Sequence, residues 1–289
     1  MTRQQAPRSI VLFTRRNPEG TAGAVRRLAE MCAEAGVQLR IPSDEVDKLG
    51  GLATELPGAA LGADPDDPDL AVVLGGDGTI LTALRRYTGR DVPVFAMNFG
   101  EIGFLATVER DGLDAGFARA LAGDFEVLAL PALTVTTSSG ERLAVNDISF
   151  HRRQDLRVAE LGYSVVGEEL GEVRCDGLVA ATPAGSTGYN LANGGPVLAW
   201  GVSGYVVSFI APHTLTARAL VVAPNDVLQV VNRSTSDPVD LTTDGRSVCA
   251  LEPLERAEVR FGEGQARLAQ VPGATFYERM RDKFGRPSH

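Results

Sequence analysis

Leu70-Ala71-Val72-Val73-Leu74-Gly75-Gly76-Asp77-Gly78-Thr79-Ile80-Leu81 is the stretch on which the fold turns. Its apolar run suits a buried strand, and after the glycines Ile80, Leu81 and Leu84 take helical spacing. A strand that empties through glycines into a helix leaves free backbone N–H groups and a positive dipole end at the turn, which suits a phosphate. Glycine also lets the main chain come close to a ligand. Asp77 would repel phosphate there unless it held a metal ion or took a proton, the two jobs that phosphoryl transfer asks of a carboxylate. From this stretch alone, a tight turn in which Asp77 caps the helix reads equally well.

On the N-terminal side, Ser9 to Phe13 reads as a buried strand, and Glu19 to Ala35 as an amphipathic helix stopped by Gly36. Val37 to Ile41 gives a second strand. Residues 42 to 69 are rich in Asp, Pro and Gly and read as a mobile loop. On the C-terminal side, Val92 to Asn98 is another apolar strand that ends in the turn Asn98-Phe99-Gly100-Glu101-Ile102-Gly103-Phe104-Leu105. Asp111 to Ala122 forms one more helix. Strand–helix alternation of this kind predicts a parallel sheet with helices on both faces.

From Phe125 the pattern changes. Residues 128–137, 142–152, 159–166, 205–210, 227–232, 239–243, 257–261 and 266–271 read as strands between close turns, the mark of an antiparallel sheet or sandwich. Domain limits follow at 1–125 and 126–272, with a C-terminal amphipathic helix in 273–289 carrying Phe276, Met280 and Phe284. Two further constellations carry chemistry. Asn146-Asp147 sits inside an apolar strand, where a polar pair costs energy unless bonded; it reads as a strand bend with satisfied polar groups or, the favoured reading, as an amide and a carboxylate for the hydroxyls of a ribose. Arg174-Cys175-Asp176-Gly177 leads through another apolar run to Pro183-Ala184-Gly185-Ser186-Thr187-Gly188-Tyr189-Asn190, whose hydroxyls, free N–H groups and aromatic ring suit a nucleotide. Gly185-Ser186-Thr187-Gly188 lacks the spacing of a hydrolase elbow. Asp244-Gly245 between strands reads as a type I′ hairpin turn.

The whole chain sets limits. Its 289 residues allow two domains and a sizeable core, and 44% hydrophobic with 22% charged residues is ordinary for a globular protein. A net charge of −9 and the lack of a basic stripe argue against nucleic acid as a partner. Cys32, Cys175 and Cys249, with His151, His213 and His289, form no spaced ligand set, which suggests neither zinc nor a disulfide framework. No apolar run is long enough for a signal or a membrane span, so the protein is expected in the cytoplasm and off the membrane.

Gly75-Gly76-Asp77-Gly78-Thr79 is shared by phosphofructokinases and lipid kinases. Joined in order by Asn98-Phe99-Gly100, Gly103-Phe104-Leu105, Asn146-Asp147, Asp176-Gly177, Thr182-Pro183, Gly185-Ser186-Thr187, Gly194-Gly195-Pro196, Pro212-His213 and Asp244-Gly245, it resembles the NAD kinase family over residues 70 to 250. The resemblance implies a Rossmann-like α/β nucleotide-binding domain followed by an antiparallel β-sandwich-like domain, with the C-terminal helix returning to the first. It implies transfer of a phosphoryl group from ATP, or from polyphosphate, to the 2′-hydroxyl of the adenosine ribose of NAD, in a homodimer or homotetramer, with Mg²⁺ bridging the donor phosphates. By the same resemblance Asp77 activates the hydroxyl and Gly78 contacts the substrate. Asn146 and Asp147 hold a ribose, Arg174 meets the diphosphate with Arg157 as a weaker second contact, and Asp176 bonds the nicotinamide end or its ribose, from this subunit or the adjoining one. Thr187, Gly188, Tyr189, Asn190, Leu191 and Ala192 line the adenine end. No protein side chain is assigned to the metal. Glu101, Thr82, Gly188 and Ala192 depart from the residues usual in the family. A lipid kinase and an NAD-binding regulatory protein without turnover are the alternatives.

Overall fold

Apolar runs that alternate with helices bury both faces of a parallel sheet, and the first of two compact units is built that way. The computed structural model describes residues 4–17, 19–62, 67–100, 103–153 and 157–285. Unit 1 comprises Met1–Ala129 and Ala266–His289, and unit 2 comprises Leu130–Gln265. In chain order unit 1 runs β1 (Ser9–Thr14), α1 (Ala22–Ala35), β2 (Gln38–Ile41), α2 (Ser43–Leu49), α3 (Gly51–Thr54), β3 (Ala60–Leu61), β4 (Leu70–Gly75), α4 (Asp77–Arg86), β5 (Pro93–Asn98) and α5 (Leu113–Ala122). The strands pair in the order β5-β4-β1-β2-β3, all parallel. Every residue of β1, β4 and β5 is buried, as runs covered on both faces must be. Leu12, Val25, Leu28, Val72, Phe95 and Phe117 belong to the core beneath them.

The expected loop over 42–69 is a correction: Ser43–Leu49 and Gly51–Thr54 are short helices and Ala60–Leu61 is an edge strand, while residues 63–66 lie outside the described residues. What holds the first of these helices is its fully buried Glu45, whose carboxylate accepts the Thr14 amide hydrogen at 2.9 Å and the Thr14 hydroxyl at 2.6 Å.

The remaining strands are β6 (Glu126–Thr137), β7 (Gly140–Ala144), β8 (Asp147–Arg152), β9 (Ala159–Val165), β10 (Glu168–Cys175) and β11 (Gly177–Ala181). After a one-turn helix α6 (Tyr189–Ala192) come β12 (Tyr205–Ile210), β13 (Leu220–Val222), β14 (Leu228–Asn232), β15 (Val239–Thr243), β16 (Arg246–Leu251) and β17 (Arg256–Gln270). In unit 2 one antiparallel sheet runs β13-β12-β11-β8-β15-β16, and β10, β9, β14 and the first part of β17 pair antiparallel in another. Ile148, Phe150, Leu178 and Ala180 share a core with Leu161, Val173, Leu228 and Val259, so the two sheets bury their apolar faces together. Val179, Ala181 and Val206 point to the other face, where Leu198 joins them.

Three strand readings change. The run 142–152 is two strands, broken at Val145 and Asn146. The runs 257–261 and 266–271 are one strand, β17, whose end pairs parallel with β5 in unit 1 through Arg267↔Pro93 and Leu268↔Val94. Strands β10, β13 and β16 had no counterpart in the sequence reading. The last helix, α7 (Phe276–Phe284), opens on a capping box between Thr275 and Glu278 and packs within unit 1, with Phe284 against Phe104 at 5.4 Å between ring centroids.

Candidate active site

In unit 1 the geometry converges on Asp77. Gly76 stands at the N-cap of α4 without a side-chain cap, so Asp77 does not cap the helix. Its carboxylate turns instead to the loop after β5 and accepts the amide hydrogens of Phe104, at 2.9 Å, and Leu105, at 3.2 Å. Gly103 leaves room for it, because a Cβ there would lie 2.8 Å from the Asp77 Oδ1 and push the carboxylate aside. Gly76 and Gly100 approach so closely that a Cβ on Gly100 would come within 3.2 Å of the Gly76 Cα. Asn98 ties the turn together, its amide oxygen accepting the Gly100 N–H at 2.9 Å and its nitrogen donating to Glu109 at 2.8 Å. Glu101 and Ile102 lie outside the described residues.

Burial pushes the Asp77 carboxyl above its ordinary range, while the two amide hydrogens and the cations Lys283 and Arg279 pull it back. Beside the turn lies a cavity of about 580 Å³ lined by Arg15, Arg16, Asn17, Gly76, Phe99 and Gly100. The Arg15 guanidinium donates to the Phe99 carbonyl at 3.2 Å, and Arg110 stacks over the Phe99 ring at 5.4 Å. Free amides at a helix start, an open cavity and arginines at its rim make a seat for a phosphate chain. Sequence reasoning missed Arg15 and Arg16. The signal was a pair of arginines directly after an apolar strand, at the same sheet end as the glycine turn.

Unit 2 assembles a second set. The break between β7 and β8 exists because Asp244 takes the local amide hydrogens: Val145 at 3.1 Å, Asn146 at 2.7 Å and Asp147 at 3.2 Å. Asp244 and Gly245 both have positive φ, as a type I′ turn requires, so the hairpin turn is as expected and its carboxylate does more than turn the chain. Opposite, Thr182 donates its amide hydrogen to the Asn146 carbonyl at 2.8 Å and its hydroxyl to the Val145 carbonyl at 2.7 Å. Gly185 sits so near that a Cβ would fall 2.0 Å from the Asn146 carbonyl oxygen.

Fixed in this way, Asn146 holds its buried side-chain oxygen with no hydrogen-bond partner among the described residues, as a group awaiting a donor does. Asp147 is buried, and burial together with the Asp244 charge pushes its carboxyl up to about 7. Tyr189 stacks on His151 with ring centroids 5.5 Å apart, and His151 Nε2 bonds the Ser149 hydroxyl at 2.7 Å. Burial pushes the His151 pKa down.

The other expected residues scatter. Asn146, Asp147 and the 185–189 turn come together at one end of β8 and β11, where Asp147 pairs with Ala181. Asp176 stands just beyond the other end, where Gly177 pairs with His151, and it is ion-paired with Arg152 at 2.6 Å. Arg174 faces Glu160 across β9 and β10 at 3.2 Å and is exposed, as is Arg157. Thr187 donates to the Ala184 carbonyl at 3.1 Å. Asn190 is fully buried and bonds the Ser186 and Pro196 carbonyls, both at 3.0 Å, so its visible work is to close the turn. Gly188 and Ala192 are exposed and Leu191 is half-buried. Among the described residues no three carboxylates, imidazoles or thiols cluster to hold a metal ion.

A parallel sheet in which an inner strand ends in a glycine turn with an anchored carboxylate defines a nucleotide-binding protein of phosphoryl-transfer type. Residues 53–125 match the ATP-NAD kinase N-terminal domain and residues 145–271 the ATP-NAD kinase C-terminal domain. The chain is 34% identical to an NAD kinase of Syntrophotalea carbinolica over 78% of this chain and 80% of that one. It is 31% identical to an NAD kinase of Rhodococcus jostii over 98% and 95%. The chain belongs to the NAD kinase family. Its fold is also that of yeast NADH kinase, solved with NADH (TM-score 0.85, 22% identity, covering 99% of this chain and 90% of that one). An Archaeoglobus fulgidus NAD kinase solved with ATP gives a TM-score of 0.72 at 23% identity, covering 96% and 97%.

Proposed function

We propose that this protein is an NAD kinase that moves a phosphoryl group from ATP to the 2′-hydroxyl of the adenosine ribose of NAD, making NADP. The observation that carries this is the Asp77 carboxylate, held by two amide hydrogens where β4 opens into α4, beside a cavity rimmed by Arg15 and Arg16. In unit 1 the α4 N-terminus and these arginines receive the donor phosphates, and Asp77 accepts the proton of the attacking hydroxyl. Such a base contributes on the order of 10²–10⁴-fold in rate. In unit 2 the unpartnered oxygen of Asn146 and the carboxyl of Asp147 grip ribose hydroxyls, and Tyr189, backed by His151, offers a flat face to a base.

A divalent ion, Mg²⁺, fits as an ion carried by the donor phosphates, because Mg²⁺ keeps several waters and needs few carboxylates. Bound there, it would neutralise charge on the donor. Polyphosphate is the alternative donor and NADH the alternative acceptor. The family resemblance further supports a homodimer or homotetramer acting in the cytoplasm. No described helix is long and apolar enough to cross a membrane. Incubating the protein with ATP, Mg²⁺ and NAD and measuring NADP with a specific dehydrogenase tests the reading. The expected result is NADP formed in proportion to enzyme. NAD binding without NADP, or label transferred to lipid, overturns it.

A further inference from the structure

We propose that Arg279 is a positioning residue for Asp77: from the C-terminal helix it holds the carbonyls of the loop whose amide hydrogens grip the carboxylate. The inference rests on the reading of Asp77 as the group that accepts the hydroxyl proton.

One peptide group carries the connection. Arg279 Nη1 donates to the Phe104 carbonyl at 3.1 Å, and the same peptide unit presents the Leu105 N–H to Asp77 Oδ1 at 3.2 Å. A peptide unit is planar, so fixing its oxygen fixes the direction of its hydrogen. A cation on the oxygen also polarises the N–H towards the carboxylate. Arg279 Nη1 further bonds the Ala106 carbonyl, and Nη2 bonds the Gln270 side-chain oxygen at the end of β17. The planar fork thus spans the loop on both sides of Leu105 and ties it to the sheet. A lysine could reach one acceptor with equal charge but could not span these in one plane.

The helix that carries Arg279 is itself anchored. Its capping box fixes the start, Phe284 packs on Phe104, and Lys283 lies 3.6 Å from Glu109. Burial pushes the Arg279 pKa down, so holding a cation here costs solvation, and the carbonyls and the Gln270 oxygen compensate for that cost. The charged groups set around Asp77 are Arg279 and Lys283 of α7, with Glu109 from the loop acting on both cations. Both cations favour ionised Asp77, against the burial that disfavours it. Nothing in the sequence of α7, a strongly charged helix, marks Arg279 apart from its neighbours.

The test compares Arg279→Met and Arg279→Lys with Asp282→Asn, an exposed change on the same helix, in the full chain. Three readouts are taken: kcat and KM for NAD, the pH profile of kcat, and hydrogen exchange over residues 103–106. Arg279→Met is expected to lower kcat by about ten- to a hundredfold with KM for NAD little changed, since small misplacements of a reacting group cost that much. Its acid limb should move to higher pH, and the Phe104 and Leu105 amides should exchange faster. Arg279→Lys keeps the charge, so it should restore the acid limb and part of kcat while exchange stays fast. Asp282→Asn should match the unaltered protein. If Arg279→Met leaves kcat or exchange as in the unaltered protein, the proposal is overturned. Should Arg279→Met fail to fold, Arg279→Lys decides alone: slowed turnover with fast exchange supports the proposal, and unaltered values of either overturn it. If the unaltered protein makes no NADP, the kinase reading fails, and the exchange experiment still tests the grip on the loop.

Discussion

Asp77 and Asp147 are carboxylates at strand ends in different units, and their surroundings treat them in opposite ways. Around Asp77 the amide hydrogens of Phe104 and Leu105 point inward and two cations of α7 stand behind them. Around Asp147 the neighbouring amide hydrogens all go to Asp244, which leaves Asp147 buried opposite a second negative charge. Burial alone raises both. It is the larger cause at both, and what separates the two is who receives the backbone N–H groups and which charge stands nearby. On the proposed function this keeps Asp77 fit to accept a proton, whereas Asp147, pushed up to about 7, would share its proton with a ligand oxygen.

Removing the first carboxylate should give the largest effect. Asp77→Asn is expected to lower kcat by on the order of 10²–10⁴-fold while NAD affinity, measured by titration calorimetry, stays close to that of the unaltered protein. A normal rate of NADP formation would put the base elsewhere. Gly103→Ala should come next, because its Cβ would stand 2.8 Å from Asp77 Oδ1 and push the carboxylate off its amides. The expected loss in kcat is about tenfold or more with KM for NAD little changed. An unchanged kcat would mean the grip does not matter.

Asp147 gives a smaller, pH-dependent effect on stability. Its folded pKa of about 7 lies above the ordinary 3.8, so between these values the folded chain binds the proton more tightly than the unfolded one. Stability of the unaltered protein therefore falls as pH rises through that window, and Asp147→Asn escapes the loss. The melting temperature of Asp147→Asn relative to the unaltered protein should climb from pH 3.8 to about 7 and level off above it, by several degrees in all. A flat difference would mean that Asp147 titrates normally. The least effect is expected from Asp244→Asn. It removes the like charge and keeps Oδ1, which takes the Asn146 and Asp147 amides, and gives up only the Val145 amide held by Oδ2. The Asp147 pKa, followed by carboxyl NMR, should then fall but stay above 3.8, because burial is the larger cause. A return to 3.8 would make the charge the larger cause.

The fold is legible in the sequence where local chemistry and tertiary context agree. The strand, glycine turn and helix at 70–86 and the Asp-Gly hairpin are cases in which period and turn residues speak for themselves. It is hidden where the partner lies far along the chain. Asn146 looked like mid-strand because Asp244, 98 residues on, breaks the ladder there. Ser43–Leu49 looked like loop because it is short and buries a glutamate, whose reason for burial is Thr14. Strand β10 was hidden because its first three residues are exposed and only Val173 and Cys175 point inward. In the site, Asp77, Asn146 and Asp147 were legible as residues out of place among glycines and apolar strands. Arg15 was missed although it directly follows an apolar strand, and Arg279 was hidden, since an arginine in a strongly charged helix carries no local sign that a distant carbonyl is waiting for it.

Arg279 and the Phe104 carbonyl lie 175 positions apart. During synthesis the parallel sheet and the glycine turn therefore leave the ribosome long before the guanidinium that steadies them. On the proposed role of Arg279, the aim of Asp77 depends on the last segment to be made, which also supplies the strand end that pairs with β5.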